Sequence, residues 1–215
     1  MRKTKLLLGV AFALTVSIPG CGGIKYPSYH TLTMAPELKP EVRGTHPPLT
    51  IAVQEFKTPA YLRQGRIAYS KAPGNIGFYE YHRWAVDPGA AVTTGVIESL
   101  RAQGVFSSAA PYAGTHSADY VLSGRLERLE EVDYGGGLRV QAKLSAELMN
   151  LRTGSIVWSG NAAEGSGVEG HDINAVVTAM SHAVQMSINS LLTGMGHQVS
   201  GTQLSVLTAG TTGSR

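Results

Sequence analysis

The sequence predicts an α+β domain: an antiparallel sheet with two amphipathic helices packed on one face. Two observations lead to this fold class. Residues 138–149 alternate strictly between apolar and polar side chains, which is typical of a strand with one solvated face. Residues 88–103 and 172–192 instead carry apolar side chains at helical spacing. Sheet and helices together favour a two-layer α+β domain.

Six segments are predicted as strands from alternation and flanking turn residues, and they cover residues 49–56, 64–69, 75–81, 119–132, 138–149 and 155–162. Leu129 interrupts the alternation of the fourth segment, which predicts a β-bulge near Arg128. Gly135-Gly136-Gly137 is predicted as the loop of a hairpin. In the last segment, Ile156 and Trp158 are predicted to face the core.

The two predicted helices have different signals at their ends. Asp87-Pro88 predicts the start of the first helix, because aspartate is a favoured N-cap and proline a favoured first residue. Gly104 predicts its end. The second helix is predicted from Asp172 to Leu192, with a polar face formed by His182, Gln185 and Asn189.

Residues 1–20 are predicted to be a cleaved export signal. A basic start is followed by an apolar run from Leu6 to Ile18, which is too short to span a bilayer. The four residues at its end, Ile18-Pro19-Gly20-Cys21, resemble the lipobox of bacterial lipoproteins. This resemblance implies cleavage before Cys21, a diacylglyceryl thioether on its sulfur and an acyl chain on its new amine. The alternatives are an ordinary secretion signal followed by a chance cysteine, or a short buried helix.

The remaining chain is predicted to have three parts. Residues 21–48 contain five prolines and are predicted as an extended tether, although Tyr26, Tyr29 and Leu32 could instead dock on the domain. Residues 49–193 are the predicted α+β domain. Residues 194–215 are rich in Gly, Ser, Thr and Gln, which predicts a disordered tail.

Composition argues against several functions. Three of the 18 basic residues and none of the 15 acidic ones lie in the signal, so the remaining chain has no net charge and no basic tract for nucleic acid. Cys21 is the only cysteine, and its acylation would leave no thiol for a disulfide or a nucleophile. The seven histidines form no helical pair of metal-ligand spacing, so no metal site is predicted.

Two further motifs are interpreted as structural. Residues 165–170 match the pattern G-x-G-x-x-G, but no strand follows the next helix and no acidic residue lies about 20 positions further on. A flexible strand-to-helix loop is therefore predicted, with no cofactor. Glu127, Glu130 and Glu131 could form an acid pair, although a solvated strand face is the favoured interpretation. No catalytic residue is predicted.

The segment from Tyr79 to Trp84 contains three aromatic residues and an arginine just before the first helix. Aromatic and arginine side chains dominate the energetics of protein interfaces. Tyr79, Tyr81 and Arg83 are therefore the candidate partner interface. The alternative, equally weighted for the two tyrosines, is that they face the core, which is the favoured position for Trp84.

Four short motifs resemble the ABC-type transport auxiliary lipoproteins, including those of the paraquat-inducible protein C type. The motifs are Arg66-Ile67-Ala68-Tyr69, the Tyr79 to Pro88 segment, Asp119-Tyr120-Val121-Leu122-Ser123-Gly124 and Thr153-Gly154-Ser155-Ile156-Val157-Trp158. The resemblance implies a periplasmic domain on an outer-membrane lipid anchor. It also implies ABC transporter subunits and mammalian-cell-entry (MCE) domain proteins as partners, and no catalytic residues.

The function expected from these observations is that of a non-catalytic auxiliary lipoprotein of a lipid transporter at the outer membrane. An exposed strand edge or the aromatic segment could also pair two copies of the chain. The alternative function is a scaffold or activator lipoprotein of another envelope machine, for cell-wall synthesis or secretion. A periplasmic hydrolase would require a polar pocket with a nucleophile and a base in hydrogen-bond reach.

Overall fold

The computed structural model describes residues 25–36, 49–114, 118–170 and 172–211, with side chains as far as residue 198. The export signal and Cys21 lie outside these residues. The strands are β1 (Ser28–His30), β2 (Thr50–Val53), β3 (Arg66–Ser70), β4 (Gly77–Trp84), β5 (Ser108–Pro111), β6 (Tyr120–Val132), β7 (Arg139–Asn150) and β8 (Ser155–Gly167). The helices are α1 (Pro88–Gln103) and α2 (Ile173–Thr211). In the described chain, neither helix has an apolar stretch that could cross a bilayer.

The eight strands form one sheet around β6. One edge of β6 pairs along its length with β7, which pairs in turn with β8. Its other edge is shared, because β2 pairs with its first part and β3 with its last residues. The sheet is completed by β5 beside β2, β4 beside β3 and β1 beside β4.

The α+β class is confirmed, but the sheet is mixed and not wholly antiparallel. The hairpin pairs β3–β4, β6–β7 and β7–β8 are antiparallel. Four other pairs are parallel: β1–β4, β2–β5, β2–β6 and β3–β6. Parallel pairing requires long connections between the paired strands, and α1 lies in one of these connections. The antiparallel prediction considered only the short turns between consecutive strands.

The first helix is confirmed with its predicted caps. The Asp87 carboxylate accepts hydrogen bonds from the backbone N–H groups of Gly89 at 2.8 Å and Ala90 at 3.4 Å. Gly104 ends the helix in a left-handed conformation with φ 65°. Both helices contact the sheet and each other. That they share one face of the sheet stays a prediction.

The second helix differs from its prediction in length and in its polar face. It continues from Leu192 to Thr211, over most of the segment for which a disordered tail is predicted from the sequence. Met195 is buried and extends the apolar stripe of Ile188 and Leu191 by another turn. Gln185 is also buried, because it lies against Ser99 of α1.

The predicted bulge in β6 is confirmed, since the β6–β7 register shifts between Leu126 and Arg128. A second irregularity was not predicted. Leu148 pairs with Trp158 and Met149 with Ile156, so the alternation of β8 changes there. Trp158 packs against the core as predicted, but the Ile156 prediction is wrong because its side chain is 54% exposed.

Strand β8 is longer than predicted. Gly165, Ser166 and Gly167 pair with Gln141, Val140 and Arg139 of β7. The interpretation of this glycine motif as a flexible loop is therefore wrong for its first three residues. The glycines extend the β7–β8 ladder instead.

A row of small residues lets two aromatic side chains lie on the sheet. Gly124 of β6, Ala146 of β7 and Gly160 of β8 are neighbours in the ladder. A Cβ atom added to Gly124 would collide with the Phe56 ring, and one added to Gly160 would collide with the Trp158 ring. These rings pack between the sheet and α2. The small residues therefore allow the sheet and α2 to pack closely around the two rings.

Part of the predicted tether docks on the domain, as the alternative interpretation allowed. The backbone N–H of Ala85 donates to the carbonyl of His30 at 2.8 Å, next to the β1–β4 pairs. The N–H of Thr33 donates to the hydroxyl of Ser181 on α2 at 3.1 Å. Leu32 and Met34 pack against the core. The folded unit therefore begins before residue 49.

Candidate functional site

The candidate interface residues lie on an irregular part of β4. Arg66 of β3 pairs with Arg83, whereas Ala68 pairs with Phe78, so β4 contains extra residues between these pairs. Tyr79 to His82 are therefore excluded from the regular β3–β4 ladder. Such bulges redirect side chains, and here they send the two tyrosines to different surroundings.

Tyr79 makes its polar contact inside the fold. Its hydroxyl donates to the Glu131 carboxylate at 2.5 Å, and its ring packs edge-on against Tyr69 and His82. The pKa of the Tyr79 phenol is raised far above its ordinary value of 10.0. Burial is the largest cause, and the hydrogen bond to Glu131 is the second. The phenol therefore stays protonated and remains a donor to the buried carboxylate.

Tyr81 faces outward, with 37% of its surface exposed, and the Lys25 ammonium lies 5.7 Å from its ring centre. Nearby, Arg83 pairs with Tyr29 of β1 on one side and with Arg66 of β3 on the other. We call this set of residues the aromatic edge, and it consists of Tyr26, Tyr29, Arg66, Tyr81 and Arg83. Tyr26 and Tyr29 are both largely exposed.

The structure thus separates the three predicted interface residues. Tyr81 and Arg83 lie on the aromatic edge, whereas Tyr79 is half-buried and bonded to Glu131. Trp84 is buried in the core, as favoured. Arg66 was missed, because its place beside Arg83 depends on strand register, which short motifs do not encode.

Two histidines connect the start of the described chain to the aromatic edge. His30 of β1 and His82 of β4 are joined by a hydrogen bond of 3.1 Å between Nε2 and Nδ1. The pKa of His30 is lowered below 6.5, mainly by burial and secondly by electrostatic repulsion from His82. The hydrogen bond between the two rings helps to hold β1, a part of the predicted tether, against β4 of the sheet.

The three glutamates of β6 do not share one environment. Glu127 is half-exposed and its carboxylate lies 2.7 Å from the Lys143 ammonium. Glu130 and Glu131 are buried, so the prediction of a solvated face is wrong for both. Burial raises the pKa of each of these two carboxyl groups. As consecutive strand residues they point to opposite faces, which prevents them from acting as an acid–base pair.

The described residues include a polar cleft but no cluster of metal-ligating side chains. They contain no group of three or more histidine, cysteine, aspartate or glutamate side chains placed to hold a metal ion. A polar cleft crosses the face of β6, β7 and β8, and its lining includes serines and glutamates but no histidine. Cys21, the predicted acylation site, lies outside the described part of the chain.

Comparison with solved structures identifies proteins of related fold, including one from Xanthomonas campestris and one from Chlamydia trachomatis. The protein XCC0632 from Xanthomonas campestris, of the DUF330 family, aligns with a TM-score of 0.70 at 18% identity, over 81% of this chain and 99% of its own. The hypothetical protein CT253 from Chlamydia trachomatis aligns with a TM-score of 0.50 at 8% identity, over 71% of this chain and 98% of its own. At such identities these similarities show the fold alone.

Sequence comparison identifies the family. No curated protein sequence matches the chain. The family model described as the ABC-type transport auxiliary lipoprotein component matches residues 30–190, from the end of β1 to the middle of α2. This match spans most of the chain and includes α1, the first part of α2 and every strand from β2 to β8. The protein therefore belongs to the ABC-type transport auxiliary lipoprotein family.

Proposed function

We propose that this protein is a non-catalytic, outer-membrane-anchored auxiliary component of an ABC system that moves membrane lipids and contains MCE-domain proteins. The observation that carries the proposal is the family match over residues 30–190. The lipobox-like motif ending in Cys21 supports an acyl anchor, and several acyl chains bind a bilayer stably. Gly22, in place of an aspartate, favours the outer membrane by analogy with the bacterial sorting rule.

The aromatic edge is the proposed docking surface for a protein subunit of the transporter. It combines three exposed tyrosines with two arginines, and such side chains provide most of the binding energy in protein interfaces. It also includes Tyr29 of β1, the part of the predicted tether that pairs with the sheet. The acyl anchor and the docked subunit would therefore meet the domain at the same edge of the sheet.

Strand β8 is the proposed contact between copies of the chain. Among the described strands, β8 pairs only with β7, so its outer edge is open. Its 13 residues contain no proline and a single charged residue, Glu164, which accepts a hydrogen bond from Ser190. Natural proteins usually protect such edges with charge or proline, and an unprotected edge favours pairing with another strand.

The proposal is tested by crosslinking and purification from membranes, with subunit identification by mass spectrometry. Wild type, Cys21→Ala and the double variant Tyr29→Ala/Tyr81→Ala are compared. Met149→Ala is the matched control, because Met149 is as exposed as Tyr81 but lies on β7. We expect wild type and the control to recover MCE-domain or ABC subunits, with reduced recovery for the other two.

Three results would contradict parts of the proposal. Recovery of a cell-wall synthase or a secretin instead of transporter subunits would favour the alternative role as a scaffold lipoprotein. Undiminished recovery with the double tyrosine variant would exclude the aromatic edge as the docking surface. Equal membrane retention of wild type and Cys21→Ala would exclude the acyl anchor.

A further inference from the structure

A polar cleft of about 520 Å³ lies on the face of the sheet that carries the outward side chains of β6, β7 and β8. These side chains alternate with the buried Leu122, Leu126 and Leu144, so the cleft is on the side of the sheet away from the core. Most of its polar lining falls into three rows across the strands: Ser123, Glu147 and Ser159; then Lys57, Arg125, Ser145 and Asn161; then Glu127 and Lys143. Gln54 and Glu55, which precede Lys57 in the chain, complete the polar lining.

The middle row places two cations side by side. The N–H of Lys57 donates to the carbonyl of Gly124 at 3.0 Å, and the N–H of Leu126 donates to the carbonyl of Lys57 at 2.9 Å. These bonds hold Lys57 directly opposite Arg125. Like charges opposed across strands destabilise a sheet. Within the described residues, neither side chain has a hydrogen bond or ion pair, although both line the cleft.

The adjacent row supplies the opposite charge. Glu147 is exposed, lies between Ser123 and Ser159 and has no ion pair among the described residues. Successive rows on one face of the sheet are two residues apart along each strand. The row of Glu147 therefore lies about 7 Å from the row of Lys57 and Arg125. Two further carboxylates line the cleft: Glu127, which is already bound by Lys143 at 2.7 Å, and the exposed Glu55, two residues before Lys57. Ser145 and Asn161, the uncharged residues of the middle row, also line the cleft.

We propose that this cleft binds the zwitterionic phosphodiester headgroup of a membrane lipid, of the phosphoethanolamine type. The phosphate would lie between Lys57 and Arg125, which donate charge-assisted hydrogen bonds to its oxygens. The ammonium group would reach Glu147 in the next row. The arrangement of charges in the cleft indicates a zwitterionic ligand. That this ligand belongs to a membrane lipid is an inference that rests on the proposed function.

The test is calorimetric titration of the full-length protein in an uncharged detergent. The ligands are glycerophosphoethanolamine, glycerol 3-phosphate, inorganic phosphate and a short-chain phosphatidylethanolamine. The variants are Lys57→Gln/Arg125→Gln and Glu147→Gln. Arg152→Gln is the matched control, because Arg152 is an exposed cation in the β7–β8 turn outside the cleft.

We expect the double variant to bind glycerophosphoethanolamine and the short-chain lipid at least about tenfold more weakly, since it loses two charged donors. Arg152→Gln should bind like wild type. Glu147→Gln should weaken both zwitterionic ligands without weakening glycerol 3-phosphate. Without ligand, the double variant should be at least as stable as wild type, because the opposed charges are removed.

Several outcomes would overturn the inference. Absence of binding to wild type, or equal binding by the double variant, would exclude the cleft as a site. Equal affinity for phosphate and glycerophosphoethanolamine would exclude zwitterion recognition. Binding of glycerophosphoethanolamine without the short-chain lipid would exclude a lipid source. Failure of the transporter proposal is a separate result, because it is measured by subunit recovery and not by ligand affinity.

Discussion

At the scale of single residues, Glu131 combines burial with one strong hydrogen bond. Its side chain is 6% exposed, and the Tyr79 phenol donates to it. Burial raises the pKa of this carboxyl above its ordinary value of 4.5, and the Tyr79 hydrogen bond opposes that effect only in part. The folded state therefore binds this proton more tightly than the unfolded chain does.

The raised pKa of Glu131 predicts that the free energy of unfolding depends on pH. Because the folded state retains the proton longer, the contribution of Glu131 to stability is lost as pH rises from 4.5 through the raised pKa. The Glu131→Gln variant has no titrating group at this position and should not lose stability in this way. The difference in free energy of unfolding between the variant and wild type should therefore shift in favour of the variant from pH 5 to pH 7.5. Urea denaturation at both pH values measures the difference.

Glu127 provides a control of opposite sign. The Lys143 hydrogen bond lowers the Glu127 pKa, so this group stabilises the fold above pH 4.5 and loses that effect at lower pH. Glu127→Gln should therefore be less stable than wild type at pH 7.5. A constant difference between Glu131→Gln and wild type at every pH would contradict the prediction.

Gly124 predicts a second effect at this scale. Its hydrogen faces the Phe56 ring, and a Cβ atom would displace that buried ring from the sheet. Gly124→Ala should lower the free energy of unfolding by about 1–3 kcal/mol, as overpacked core substitutions do. Gly167→Ala in β8 is the control, since no atom lies within 4 Å of its added Cβ. Equal effects of the two substitutions on urea unfolding would refute the packing argument.

At the scale of elements, β1 is a short strand that depends on few contacts. It forms parallel pairs with β4, and the His30–His82 hydrogen bond joins the same two strands. Tyr79 is the titratable neighbour of this pair, with its ring centre 5.7 Å from that of His82. Since protonation of both imidazoles would remove the acceptor, the attachment of β1 should depend on pH.

The lowered pKa of His30 determines the direction of this dependence. The neutral imidazole stabilises the folded state above pH 6.5, and that contribution is lost as pH falls from 6.5 through the lowered pKa. His30→Gln should therefore be less stable than wild type at pH 7.5, by a margin that shrinks at pH 5.5. His182→Gln, at an exposed position of α2, should show no such trend in thermal unfolding. A margin that grows toward acid pH would oppose this assignment.

At the scale of the whole molecule, the open edge of β8 predicts self-association. Ala163 is an exposed residue near the middle of this strand. Ala163→Lys should place a charge on the edge and shift the protein toward monomer, whereas Ala163→Ser should leave the assembly unchanged. Light scattering of the full-length protein in detergent measures the mass. A wild-type monomer, or an oligomer unaffected by the lysine, would exclude the β8 contact.

Features that depend on local chemistry were predictable from the sequence. The ends of α1 depend on Asp87, Pro88 and Gly104, whose capping and backbone preferences act within one turn. The bulge near Arg128 was visible as an interrupted alternation of two faces. The burial of Trp84 also agreed with its pattern.

The candidate site was predictable only in part, because strand register brings distant residues together. Tyr81 and Arg83 were found from composition, but Arg66 and Tyr29 join them through pairings with β3 and β1. The contact between Tyr79 and Glu131 spans 52 positions, and no periodicity encodes it. The opposed cations of the cleft are likewise far apart in the chain.

By itself, the sequence determined the α+β class, the family resemblance, and the starts of six strands and two helices to within a few residues, whereas β1 and β5 were not predicted as strands. Short-range propensities and alternation contain that information. Only the tertiary structure decided which strands run parallel, how far α2 extends and that Glu130 and Glu131 are buried. The physical reason is that long connections, packing between layers and desolvation depend on residues distant in sequence, which determine the environment of each side chain.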